Sequence, residues 1–164
     1  MNKNYPIYKT TFIDDMRSLV EEAAQNFPES IAISYKNKPS DKEVQKVTFA
    51  QWRKDVRNLG TALISCGLRE ENIAIVGENS YGWCCSFFAV MGIGSVTVPV
   101  DKELPIKDIE GIIAATSCKA VIYGRTAEEK IKEILQEGGL RSAEYLISIE
   151  PSSSIDESLA SGKI

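Results

Sequence analysis

Histidine is absent from this chain of 164 residues, and histidine is the usual general base at neutral pH and the commonest metal ligand. Ser-His-Asp triads, Cys-His pairs and His-based metal sites are therefore excluded. Any catalysis falls to carboxylates, lysine or a bound cofactor. Four cysteines occur, Cys66, Cys84, Cys85 and Cys118, with no C-x-x-C pair. Cys84 and Cys85 lie in the most apolar stretch, where burial keeps a thiol protonated and unreactive, so they read as packing residues. Paired acids stand at Asp14 and Asp15, Glu21 and Glu22, Glu70 and Glu71, and Glu128 and Glu129. Adjacent helical residues point about 100° apart and do not converge on one substrate atom. These pairs read as solvated surface.

Two strand-to-helix turns remain as candidate anion sites, because a helix N-terminus offers free backbone N–H groups and the positive end of its dipole. The first is Gly77, Glu78, Asn79 and Ser80. A phosphate loop ordinarily carries more glycines or a lysine after glycine, and a plain turn with an N-cap accounts for these four residues. The second is Gly124, Arg125 and Thr126. Here Thr126 and Glu129 form a capping box, with Arg125 within reach of a phosphate.

The elements that must position these turns follow from hydrophobic period and punctuation. Thr11 to Phe27 carries Phe12, Met16, Leu19, Val20, Ala23 and Phe27 on one helical face, opens on a capping Thr11 backed by Asp14, and stops at Pro28. Ile31 to Tyr35 and Val44 to Thr48 form a β-hairpin around a polar connection. Thr48 begins a helix, with Gln51 completing a capping box, a stripe of Trp52, Val56, Leu59, Leu63 and Cys66, and Gly67 as terminator. Strands then alternate with helices: strand Ile73 to Val76, helix Tyr81 to Met91, strand Ser95 to Val98, helix Pro105 to Thr116. Strand Ala120 to Tyr123, helix Ala127 to Gln136 and strand Tyr145 to Ile149 complete the series. Such alternation implies a parallel sheet. The uninterrupted apolar strands Ile73 to Val76 and Ala120 to Tyr123 require helices on both of its faces. The fold class is thus α/β: a mostly parallel sheet flanked by helices on both faces, preceded by an N-terminal helix and a β-hairpin. Residues 1–150 make one α/β unit, and the Pro-Ser-rich stretch 151–164 reads as a linker or cut end.

Composition bounds the function classes. Apolar residues are 43% and charged residues 26%, which places the chain among folded globular proteins. The net charge is −4 and the basic residues are dispersed, which argues against nucleic acid as a partner. The charge-free run from Trp83 to Val100 is broken by Gly92, Gly94 and Pro99, so it is core and not a transmembrane segment. The lack of a C-x-x-C pair, two adjacent cysteines too close to bridge and no recognisable secretory leader fit a reducing, cytoplasmic location.

Four successive pieces between Val47 and Gly124 carry a family resemblance: VTFAQWRKDVRNLGTALISCGL, ENIAIVGENSYGW, SVTVPVDKELPIKDIEGII and CKAVIYG. In order and spacing they resemble the N-terminal subdomain of the adenylate-forming (AMP-binding) acyl-CoA synthetase superfamily. Asn79 followed by Trp83, together with the DKELP stretch, is most similar to long-chain fatty-acid–CoA ligases. The resemblance implies that the full-length enzyme joins a fatty-acid-type carboxylate to ATP, leaving an acyl-adenylate, and passes the acyl group to CoA, with Mg²⁺ neutralising the phosphates. The family's phosphate loop ending in lysine, its aromatic-Gly-x-Thr-Glu motif, its ribose-binding Asp and its C-terminal catalytic Lys have no counterpart in residues 1–164. No catalytic, cofactor-binding or metal-ligating residue carries over. The resemblance therefore implies an inactive piece that binds no cofactor tightly. Its partner is the remainder of the synthetase chain, and self-association would follow through the face that partner covers. The competing reading is a stand-alone α/β nucleotide-binding or protein-interaction domain using the turns at Gly77 and Gly124.

Overall fold

The computed structural model describes residues 12–38, 40–151 and 155. Helix α1 spans Met16–Asn26, and its N-cap is Asp15, whose carboxylate accepts the Ser18 N–H at 2.6 Å. This corrects the expected start: Thr11 lies outside the described residues, and Phe12, Ile13 and Asp14 are not helical. Asp15 serves as cap because a carboxylate receives the positive helix end better than a neutral hydroxyl does. Of the expected apolar face, only Val20 is buried, joined by Ala24, while Phe12 is 83% and Phe27 58% exposed.

Strands β1 (Ile31–Tyr35) and β2 (Gln45–Thr48) pair antiparallel as the expected hairpin. Helix α2 (Phe49–Ser65) follows directly, with the Thr48 hydroxyl accepting the Gln51 N–H at 3.2 Å. Only half of the capping box forms, because the Gln51 amide reaches forward to Asp55 at 2.8 Å instead of back to Thr48. Gly67 closes the helix at φ +74°, with Leu68 N donating to Leu63 O and Gly67 N to Ile64 O. That left-handed closure is the reason a glycine stands there.

The remaining elements are β3 (Asn72–Val76), α3 (Tyr81–Gly92), β4 (Val96–Val100), α4 (Ile106–Ala115), β5 (Ala120–Tyr123), α5 (Glu128–Gln136) and β6 (Tyr145–Ser148). Their strands form one parallel sheet in the order β4-β3-β5-β6. Strand alternation divides two apolar layers between its faces. Ile73, Ile75, Ala120 and Ile122 pack with Val56, Leu63 and Val90 from α2 and α3. Ala74, Val76, Val121 and Tyr123 pack with Ile109, Ile113, Ile131 and Ile134 from α4 and α5. Both layers are thus covered, as the unbroken apolar strands require. Helix α3 is less enclosed than its composition implies: Cys85, Ser86, Ala89 and Val90 are buried, but Trp83, Phe87 and Met91 are only partly so.

Candidate functional site

After β3 the chain runs through α3 to β4 on one side, and β5 lies on the other. The order reverses between β3 and β5, and in open α/β sheets a crevice opens at the carboxyl ends of the two strands at such a point. The two turns singled out in the sequence meet there. Gly124 N donates to Val76 O at 2.9 Å, and a Cβ placed on Gly77 would stand 3.0 Å from Gly124 N. Both positions are glycine because the two backbones touch.

Glu78 stands at this crevice, only partly buried. Its Oε2 accepts the Thr126 hydroxyl at 2.5 Å. Burial pushes the Glu78 carboxyl up, but hydrogen bonds from the Thr126 side chain and from the backbone of Glu78 and Thr126, with the charge of Lys102, outweigh it and hold the group below its ordinary value. The expected capping box at Thr126 and Glu129 does not form. Residues Arg125–Ala127 make a short 3₁₀ turn, α5 starts at Glu128 without a side-chain cap, and Glu129 pairs with Lys132 at 3.2 Å. Thr126 donates to an ionised carboxylate instead, which gives a stronger bond than accepting from a neutral amide. Arg125 is exposed. At the third loop of this edge, Lys102 pairs with Glu103, and the Lys130 ammonium donates to Lys102 O at 2.6 Å and Leu104 O at 2.8 Å, tying α5 to the β4–α4 loop.

These residues do not fit a triphosphate or its Mg²⁺. The donors at the crevice, the Thr126 hydroxyl and the backbone N–H groups, already serve the Glu78 carboxylate, and a second anion would meet its negative charge. Among the described residues no three carboxylates or thiols gather where a metal ion could be held. Ser80 caps α3 by accepting the Trp83 N–H at 3.1 Å, so the first turn is structural as well. The paired acids do not converge, and Cys85 is buried, with desolvation pushing its thiol up to about 11.

Glu78 also supplies a pH test. A carboxyl held low in the fold stabilises above its unfolded value, near 4.5, and loses that contribution as pH falls through the folded value. The stability gap between wild type and Glu78→Gln should be largest at pH 7 and shrink below about pH 4.5. Denaturant titrations at pH 7, 5 and 3.5 measure it; a gap that stays constant with pH would show that the ionised form is not what Thr126 holds.

The enclosed polar cluster on the opposite face is Tyr81, whose hydroxyl donates to Asp55 at 2.7 Å and whose ring stacks on Tyr35 at 5.3 Å. Burial and that hydrogen bond push the phenol well above its ordinary range. It clasps the hairpin to α2 and α3.

The AMP-binding enzyme family model matches residues 20–163. The chain belongs to that family. Among its relatives, the long-chain-fatty-acid–CoA ligase FadD13 of Mycobacterium tuberculosis is 27% identical over 90 residues, covering 54% of this chain and 18% of its own. The medium-chain acyl-CoA ligase ACSF2 of Rattus norvegicus, a mitochondrial protein, is 26% identical over 107 residues, covering 63% of this chain and 16% of its own. A solved Mycobacterium tuberculosis fatty acyl CoA synthetase superposes with a TM-score of 0.71 at 22% identity, covering 90% of this chain and 28% of that one. That superposition shows the fold. The chain spans less than a fifth of the length of either curated relative, and what it supplies is the family's N-terminal α/β subdomain.

Proposed function

We propose that this chain is the opening piece of an ATP-dependent acyl-CoA synthetase, which converts a fatty-acid-type carboxylate to an acyl-adenylate and then to a CoA thioester, and that the piece is silent by itself. The observation that carries the reading is the family match over residues 20–163 in a chain covering 16% of the ACSF2 ligase and 18% of the FadD13 ligase. The structure supplies a supporting feature. Strand β6 is an edge of the sheet, and on the α3 side its Tyr145 and Ile147, with Ile149 just after it, are only partly buried, beside the stacked Trp83 and Phe87. An edge strand with a half-covered apolar flank is a place for further chain to pack. The other edge, β4, carries Pro99, which withholds a hydrogen-bond donor.

ATP, Mg²⁺ and CoA belong to the whole enzyme in this reading, and the chain by itself holds none of them tightly. Four free thiols support a reducing, cytoplasmic location. Among the described residues no helix is long and apolar enough to cross a membrane. The test is ATP–pyrophosphate exchange with a panel of fatty carboxylates. Exchange should be absent with residues 1–164 and appear when the remainder of the synthetase is supplied. Exchange by residues 1–164 alone would overturn the silent-piece reading. The alternative of a stand-alone nucleotide-binding domain predicts a saturable rise in melting temperature with ATP; the negative charge of Glu78 at the crevice counts against it.

A further inference from the structure

Strand β6 leaves one row of backbone groups unpaired. Tyr145 N donates to Lys119 O at 3.3 Å, and Ile149 N, just past the strand, donates to Tyr123 O at 2.9 Å. In a parallel ladder alternate residues turn their N–H and C=O groups to the same neighbour. Tyr145, Ile147 and Ile149 therefore face β5, and Leu146 and Ser148 point both groups outward. Among the described residues no strand lies beyond β6. Sheet edges are ordinarily blunted by a charge, a proline or a bulge. Strand β4 has Pro99, whereas Tyr145–Ser148 reads Tyr-Leu-Ile-Ser and pairs with β5 without a register shift. The chain beyond the strand does not cover its α3 side, since Ile155 packs into the opposite layer, with Ile131 and Ile134 of α5.

The strand is complementary to itself. Two copies related by a two-fold axis through Ile147, perpendicular to the sheet, pair antiparallel, with Leu146 of each opposite Ser148 of the other. Both residues point their backbone groups outward, so each such pair exchanges two N–H···O bonds. On the α3 face Ile147 meets Ile147 and Tyr145 meets Ile149, apolar cross-strand pairs that carry the half-buried layer across the axis. One opposition remains, because Glu150 comes opposite Glu144 of the second copy. Glu144 pairs with Lys119 at 2.5 Å, and Lys119 also feels the charge of Glu71, so acids outnumber the ammonium at each end of the pairing.

We propose that the 164-residue chain forms a two-fold dimer by antiparallel pairing of β6 with β6 of a second copy, joining their four-stranded sheets into one. The inference does not need the synthetase reading; in a longer chain the further segment and the second copy would compete for the same edge.

The test is sedimentation velocity of the 164-residue chain at rising concentration, with amide hydrogen exchange at the dilute and concentrated ends. A monomer–dimer equilibrium is expected, with slower exchange at Leu146 and Ser148 in the dimer. Ser148→Pro removes an outward donor from each copy and leaves the ladder to β5 intact. It should weaken the dimer about tenfold or more. Glu150→Lys sets opposite charges across the pairing and should tighten the dimer a few-fold; this exposed-edge change reads the register even where the proline variant fails to fold. Four results would overturn the proposal: a monomer persisting at about 1 mM, where even a weak interface is populated; a folded Ser148→Pro variant that dimerises like wild type; exchange at Leu146 and Ser148 that does not change with concentration; or a Glu150→Lys dimer no tighter than wild type.

Discussion

Ile75→Ala is expected to cost about 2–5 kcal/mol, the range for truncating a fully buried isoleucine. Ile75 is 0% exposed on β3, with β4 on one side and β5 on the other, and its side chain lies in the layer under α2 and α3. Both neighbouring strands are held in register by the parallel ladder, so the surroundings have little freedom to collapse into the space left behind. A domain of this size has about 5–15 kcal/mol of total stability, so the loss is a large fraction of it. The melting temperature should fall by roughly 10 °C. Ile64→Ala, on the exposed side of α2, is the control and should change stability by less than about 0.5 kcal/mol. Thermal unfolding of both variants measures this; a near-wild-type melting temperature for Ile75→Ala would place β3 outside the core.

The second large effect belongs to the crevice. Gly77→Val should cost about 1–3 kcal/mol through overpacking, because its Cβ would lie 3.0 Å from Gly124 N and 3.2 Å from Gly124 Cα. Those are backbone atoms fixed by the bond from Gly124 N to Val76 O, and neither strand end can retreat without breaking it. Gly124→Ala offers the contrast. Its Cβ would meet chiefly the Glu78 Oε2 at 2.8 Å, the far end of a flexible side chain, which can swing aside at the expense of the Thr126 bond. Gly77→Val should therefore be the more destabilised of the two in denaturant unfolding. Equal losses would mean that the two turns are not in backbone contact.

Much of the fold was legible because its signals are local. The unbroken apolar strands Ile73 to Val76 and Ala120 to Tyr123 announced a sheet covered on both faces, and Thr48 and Gly67 bounded α2 as expected. Helix α1 was misplaced at its start, since Thr11 with Asp14 and Asp15 with Ser18 are both credible caps, and the choice between them rests on charge at the helix end. The crevice was legible only in pieces. Gly77 and Gly124 each stood out, but their contact depends on the strand order β4-β3-β5-β6, which period and punctuation do not encode. Glu78 stood out only as part of the first turn, and its pairing was hidden for the same reason: its partner Thr126 lies 48 residues away, and locally Thr126 reads as a cap for α5. The one accessible signal was an acid placed directly after the glycine of a candidate anion-binding turn, where it counts against a phosphate.

The natural reading frame beyond codon 164 tests the central claim most directly. The account predicts that it continues, without a stop, into a Ser/Thr/Gly-rich segment closing with lysine and then into the aromatic-Gly-x-Thr-Glu motif of an adenylate-forming enzyme. A stop codon directly after Ile164 would contradict it and make the chain a self-contained α/β domain of the AMP-binding family with no synthetase chemistry of its own.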